Sequence, residues 1–182
     1  MSRADATKAR ILQAATEEFA AYGIAGARVD RIAKAAAANK NLIYVYFCSK
    51  DQLFEAVFEA HVIHGLESVP FTPDDLPEYA GRLFDYSCRH PEVVRLATWH
   101  RLERGDQQSA VLSSPREAKV EALAAVQKAD NIGAAFSPTA LLTLVLSIAL
   151  AWDPSSAADM PTTTESVEDR RRTIVEAVRR LL

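Results

Sequence analysis

Cysteine is nearly missing. The 182 residues hold two, Cys48 and Cys88, too few for a disulfide framework, and a reducing compartment, the cytoplasm, is the expected one. Nothing around either marks a thiolate, so each reads as a small buried hydrophobe. Glycine is also scarce, with six. No glycine-rich phosphate loop or nucleophile elbow is present, which removes the common signatures of nucleotide enzymes and hydrolases. His61 and His64 lie three apart at a spacing a metal tolerates, but no cysteine or carboxylate cluster accompanies them, so no metal or other cofactor is expected. Long apolar runs are lacking too. The longest, Ala140 to Trp152, is broken by Thr143 and Ser147 and falls short of the roughly 20 residues of a membrane span, so a buried helix is expected. The opening residues show no charged-then-apolar signal peptide. An enzyme and a membrane protein are thus both disfavoured.

What is present is a soluble globular composition rich in alanine and leucine, with 49% hydrophobic and 25% charged residues, enough for one or two domains. The net charge of −3 conceals an asymmetry. Residues 1–50 carry eight basic and four acidic side chains, a net of +4, and the remainder carries 13 basic and 20 acidic, a net of −7. A basic head meets a polyanion; the acidic body has another role.

The apolar spacing is helical throughout, and no segment sustains the alternation of a strand. Ile11, Leu12, Ala15 and Phe19 form one stripe, which Gly23 ends. Val29, Ile32, Ala33 and Ala36 form the next. After a gap at Ala37–Asn39 comes Lys40–Phe47, with Ile43 and Phe47 facing inward. Ser49 and Gln52 form a capping box for a fourth helix carrying Leu53/Val57 and Phe54/Phe58. Further stripes follow: Leu76, Tyr79, Ala80, Leu83 and Phe84; then Pro91 through Val93, Val94, Leu96, Ala97 and Leu102. Ser114-Pro115 and Ser137-Pro138 signal helix starts, the latter opening the apolar helix to Trp152. Residues 153–163 read as a loop, and Thr162 with Glu165 caps a last helix bearing Val167, Ile174, Val175, Val178 and Leu181. The expected fold is all-α: a three-helix helix-turn-helix domain over residues 1–50 and a helical bundle over 51–182, about nine helices in all, linked by a helix at about 50–66.

Two short helices joined by a three-residue turn, Arg28 to Lys50, are a DNA-binding arrangement. The first buttresses; the second offers its N-terminal half and outer face to the major groove. That face holds Asn39, Lys40, Asn41, Leu42, Tyr44 and Val45. Asparagine reads adenine edges, lysine pairs with phosphate or guanine, and leucine and valine touch thymine methyls. Tyr44 and Tyr46 offer hydroxyls to phosphate, and Lys50 opens a helix whose free N–H groups favour it. The alternatives are bland: core aromatics, solvated lysines and a satellite packing contact for Leu42 and Val45.

Ile11-Leu12-Gln13-Ala14-Ala15 through Phe19 and Gly23, Val29-Asp30-Arg31-Ile32-Ala33, and Leu42 through Phe54 together resemble the N-terminal domain of TetR-type (TetR/AcrR) repressors, over roughly residues 7 to 60. The resemblance implies a homodimer on a palindromic double-stranded DNA operator, and a helical body that binds a small effector and releases DNA. Several positions depart from the pattern. Ala37 stands where glycine is usual, Asn41 and Leu42 replace small residues, Val45 replaces a frequent histidine, and Arg28 replaces a Ser or Thr cap and is a candidate phosphate contact.

In the body, Tyr79, Leu83, Tyr86, Trp99, His100, Glu103 and Leu142 are candidate pocket residues for a largely apolar or aromatic effector. Leu142, Val145, Leu146, Ala149 and Trp152, with Ile174, Val175, Val178 and Leu181, are candidates for a dimer interface. The alternative is a DNA-binding regulator without a small-molecule effector, constitutive or controlled by a protein partner; the head would be identical.

Overall fold

The computed structural model describes residues 3–105, 110–130, 135–155 and 164–182. Among these residues the chain is all helix and loop, without a strand: α1 (Arg3–Gly26), α2 (Val29–Ala35), α3 (Lys40–Phe47), α4 (Lys50–Ser68), α5 (Leu76–Arg89), α6 (Pro91–Arg104), α7 (Ala110–Asp130), α8 (Pro138–Ala149) and α9 (Val167–Leu181). The expected helical fold is therefore present. None of the described helices is long and apolar enough to cross a membrane.

The helices form two compact units, Met1–Ile63 with Glu92–Gln108, and His64–Pro91 with Ser109–Leu182. The sequence placed the division at 50/51; packing instead keeps most of α4 and nearly all of α6 with the head. The reason is apolar burial. Leu53, Phe54, Val57, Phe58 and Leu96 share one core with Ile11, Ala15, Phe19, Ile32, Ile43 and Phe47. Phe19 meets Phe54 edge to face at 5.2 Å, and Phe58 stacks on His100 at 4.4 Å. Each such side chain contributes roughly 1.5–3 kcal/mol by leaving water, so cutting the chain at residue 50 would expose several of them.

In the second unit α5 packs on α8 and α9, and α7 on α8. Its core is Leu76, Tyr79, Ala80 and Phe84 from α5, Leu141, Leu142, Val145 and Ala149 from α8, and Ile174 and Val178 from α9. Arg171 clamps α9 to α5, reaching Glu78 at 2.5 Å and Asp85 at 2.8 Å. Of the residues expected at a dimer interface, Leu142, Val145, Ala149, Ile174 and Val178 are already buried by the chain's own helices. Leu146, Trp152, Val175 and Leu181 are half-buried.

The helix break expected at Gly23 is present: the residue sits at φ 69°, and a further helical stretch runs on to Gly26. Other local readings need correction. α7 is already formed at Ala110, so Pro115 lies inside it rather than at its start; proline removes one donor but its φ is helical. α8 stops at Ala149, not Trp152. The cap of α9 is Ser166, whose hydroxyl accepts from Asp169 N at 3.1 Å; Thr162, the expected cap, and residues 156–163 of the expected loop lie outside the described residues. Both cysteines are exposed, not buried, and Cys48 ends α3 at φ 60°.

Candidate nucleic-acid interface

The pairing of α2 with α3 is built by buried apolar residues and a tight turn. Val29, Ile32 and Ala33 of α2 and Ile43 and Phe47 of α3 point inward. Between the helices, Ala37 N donates to Lys34 O and Ala38 N to Ala33 O. Ala37 sits at φ 47°, the left-handed conformation anticipated where glycine is usual, at a cost of roughly 1–2 kcal/mol. Arg10 Nε ties the turn to α1 by donating to Ala36 O at 3.1 Å.

α2 has no side-chain cap, and a carboxylate from α1 holds the residue at its start instead. Glu18 of α1 accepts from Arg28 N at 2.8 Å and from Arg31 Nε at 2.7 Å. Arg31 also donates to Gly26 O at 3.0 Å and lies 4.3 Å from the Tyr22 ring centre. Burial raises the Glu18 carboxyl, but the hydrogen bonds from Arg31 and Arg28 N and the attraction of both guanidinium groups outweigh it, holding the carboxyl below its ordinary value.

α3 presents the expected face. Asn39, Lys40, Asn41, Tyr44 and Val45 are exposed, and Leu42 and Tyr46 half-buried. Val45 is 71% exposed, unusual for valine without a partner. Asn39 does double duty. Its side-chain oxygen caps α3 by accepting from Asn41 N at 2.8 Å, leaving its amide hydrogens toward solvent. Arg28 is exposed at the start of α2. Lys40 Nζ lies 2.8 Å from Asp30 Oδ1. Lys50 points inward, donating to Ala25 O at 3.3 Å and Ala27 O at 3.2 Å; it fastens α4 to the end of α1.

Three residues expected in an effector pocket serve the head instead. The break at Gly23 leaves backbone groups unsatisfied, and α6 supplies their partners. Glu103 accepts from Ile24 N at 2.9 Å and Ala25 N at 2.7 Å, while Trp99 Nε1 donates to Ala20 O at 3.4 Å. His100 stacks on Phe58, and Arg104 reaches Asp51 of α4 at 2.6 Å. A Cβ at residue 23 would stand 2.4 Å from Glu103 Oε1 and 2.9 Å from the Trp99 ring, so glycine is required by space as well as by φ. Sequence patterning missed this role because the partners are about 79 residues apart. Tyr79, Leu83, Tyr86 and Leu142 remain together in the second unit; the Tyr79 hydroxyl accepts from Lys119 Nζ at 2.9 Å. His61 Nε2 lies 3.0 Å from Thr16 Oγ1, whereas His64 faces the Tyr86 ring at 6.2 Å.

A short buttress helix, a tight turn and a recognition helix with an exposed polar face, in a chain that also carries a second helical unit, define a DNA-binding transcription regulator of the helix-turn-helix class. Residues 11–57 match the domain described as bacterial regulatory proteins, tetR family, and residues 75–180 match the tetracyclin repressor-like C-terminal domain. The chain belongs to the TetR family. The HTH-type transcriptional repressor SCO4008 of Streptomyces coelicolor is 44% identical over 129 residues, 71% of this chain and 67% of that protein. The crystal structure of SCO4942, also from Streptomyces coelicolor, is 38% identical, covers 96% of this chain and 97% of that one, and superposes with a TM-score of 0.82. AibR, solved with isovaleryl coenzyme A and operator DNA, shares the fold at 17% identity and a TM-score of 0.73, over 95% of this chain and 97% of that one.

Proposed function

We propose that this protein is a ligand-responsive repressor, working in the cytoplasm, that binds a palindromic operator as a homodimer and is released by a small effector. The observation that carries the DNA half is the outer face of α3, where Asn41, Tyr44 and Val45 stand exposed on a helix whose other face is locked into the core. Asn41 and the amide of Asn39 read base edges, Leu42 and Val45 meet thymine methyls, and Arg28, Lys40, Tyr44 and Tyr46 hold phosphates. Lys50 acts as a brace within the head. Two copies would set their recognition helices in successive major grooves, roughly 34 Å apart.

Family membership supports the effector half. The second unit carries the candidate lining, Tyr79, Leu83, Tyr86 and Leu142, for a largely apolar or aromatic molecule. Dimer contacts fall to what α8 and α9 leave uncovered, including Leu144, Leu146, Trp152, Val175 and Leu181. The effector acts by preferring a dimer geometry that no longer fits the operator, so effector and DNA weaken each other's binding by the same factor.

The test is selection of random duplex DNA by the purified protein, followed by salt-titrated affinity for the winner. A tightly bound palindrome, lost in Tyr44→Ala, supports the reading. Weak binding without an enriched motif, vanishing at modest salt, leaves sequence-blind electrostatics alone and sinks it. An effector that leaves operator affinity unchanged sinks the switching half.

A further inference from the structure

The basic side chains around the recognition helix are largely engaged within the chain. Lys50 Nζ donates to two backbone carbonyls, and Arg31 is held by the nearly buried Glu18. The third case differs. Lys40, the first residue of α3, pairs with Asp30 of α2 at 2.8 Å, and both side chains are exposed, at 45% and 74%. The hydrogen bond to Asp30 raises the Lys40 pKa, which favours the charged ammonium that the carboxylate engages.

An exposed pair of this kind does little for the stability of a fold. Asp30 suits the first turn of α2, where a carboxylate meets the positive end of the helix dipole. That role does not require it to reach across to α3. A lysine at the tip of a recognition helix contributes to DNA binding by neutralising a phosphate and releasing a counterion. Here a phosphate competes with a carboxylate for the same ammonium, and that carboxylate faces the polyanion.

We propose that Asp30 is a charge brake on DNA binding, set by its juxtaposition with Lys40 at the tip of the recognition helix. This rests on the DNA-binding reading above. Both costs are blind to base sequence. The brake therefore weakens every duplex by the same factor and leaves preference among sequences to the outward residues of α3.

The test uses the full chain with two duplexes of about 30 base pairs, long enough for two half-sites: one of random sequence, one the operator enriched by selection. Affinities are measured between about 50 and 200 mM KCl for wild type, Asp30→Asn, Lys40→Met and the double variant. Asp30→Asn is expected to tighten both duplexes equally, about threefold or more at low salt, and to steepen the slope of log K against log salt by roughly 0.9. Lys40→Met, which removes a proposed phosphate contact and leaves Asp30 unpaired, is expected to weaken both duplexes equally, and the slope gained by Asp30→Asn is expected to be absent in its background. Asp30→Ser, which keeps a helix-starting side chain, reproduces the gain if charge is responsible. An unchanged slope in both Asp30 variants overturns the brake, as does weaker binding in both. So does a gain confined to the operator, which would make Asp30 a reader of sequence. If wild type shows neither an enriched site nor a salt-dependent affinity, the DNA-binding reading falls and the brake with it.

Discussion

Ala36 and Ala37 are neighbours of identical chemistry and opposite backbone sign, so one substitution made at each tests the turn. Ala37 lies at φ 47° and is exposed; Ala36 lies at φ −73° and is 3% exposed. Replacing Ala37 by glycine removes the clash of a Cβ with its own carbonyl, roughly 1–2 kcal/mol. It also loosens the unfolded chain, which costs about 0.5–1 kcal/mol. A net gain of about 0.5–1 kcal/mol is expected. At Ala36 glycine relieves no strain, carries the same entropic cost and gives up a buried methyl of about 0.8 kcal/mol. A loss of about 1.5 kcal/mol is expected there. Ala37 N–H donates to Lys34 O at 3.2 Å in either case, so the hydrogen bonding of the turn is a constant. Urea unfolding of the full chain gives the answer. With m near about 2 kcal/mol/M, Ala37→Gly shifts the midpoint up by about 0.3–0.5 M and Ala36→Gly shifts it down by more. If both variants are destabilised alike, the left-handed turn is not the strained point and the reasoning fails.

The remaining predictions concern the supports of the head and its outer face. Gly23→Ala introduces a Cβ 2.4 Å from Glu103 Oε1 at φ 69° and should cost more than about 2 kcal/mol; Gly105→Ala, at φ 57° with nothing within 4 Å, should cost about 1 kcal/mol, and equal thermal shifts would contradict the close fit. Glu18→Gln keeps an oxygen acceptor for Arg28 N but removes the charge that pairs with Arg31, and should cost about 1 kcal/mol. Because the Glu18 pKa is depressed on folding, its stabilisation is full above the unfolded value, about 4.3, and is lost as pH falls through the lower folded value. The acid limb of wild-type stability should therefore flatten in Glu18→Gln, and an unaltered limb would show that Glu18 does not titrate as argued. Val45→Ala, at a site 71% exposed, should leave stability within about 0.5 kcal/mol and weaken the operator but not random DNA; equal loss on both would remove it from base contact.

What the sequence made legible was local. Apolar spacing placed α2 and α3 within a residue, because Ile32, Ala33, Ile43 and Phe47 must all turn to one side. Ser49, Ser137 and the pattern around Phe54 and Phe58 marked starts and faces that short-range geometry enforces. What stayed hidden were roles set by distant partners. Glu103 and Trp99 looked like pocket residues, since an aromatic and a carboxylate on an amphipathic helix suit a ligand; they are instead the missing partners of backbone groups at Ala20, Ile24 and Ala25. Lys50 looked like a phosphate contact at a helix start, and only the fold brings two carbonyls to its ammonium. Glu18 carried no sign that it holds the backbone N–H of Arg28, ten residues on. The apolar faces of α8 and α9 were legible as buried; whether their cover is the same chain or a second copy is not encoded in periodicity.

The first unit is assembled from two stretches of chain, Met1–Ile63 and Glu92–Gln108, and this interruption orders its birth. As the chain leaves the ribosome, α1 to α4 emerge first, with Phe54 and Phe58 still lacking Leu96 and His100 to cover them. The break at Gly23 likewise waits for Trp99 and Glu103. A nascent or truncated head ending near residue 63 would hold its helix-turn-helix on an unfinished floor, adhesive toward other apolar surfaces. Synthesis of α6 closes that floor, so the reading head completes itself only after the chain has begun the body.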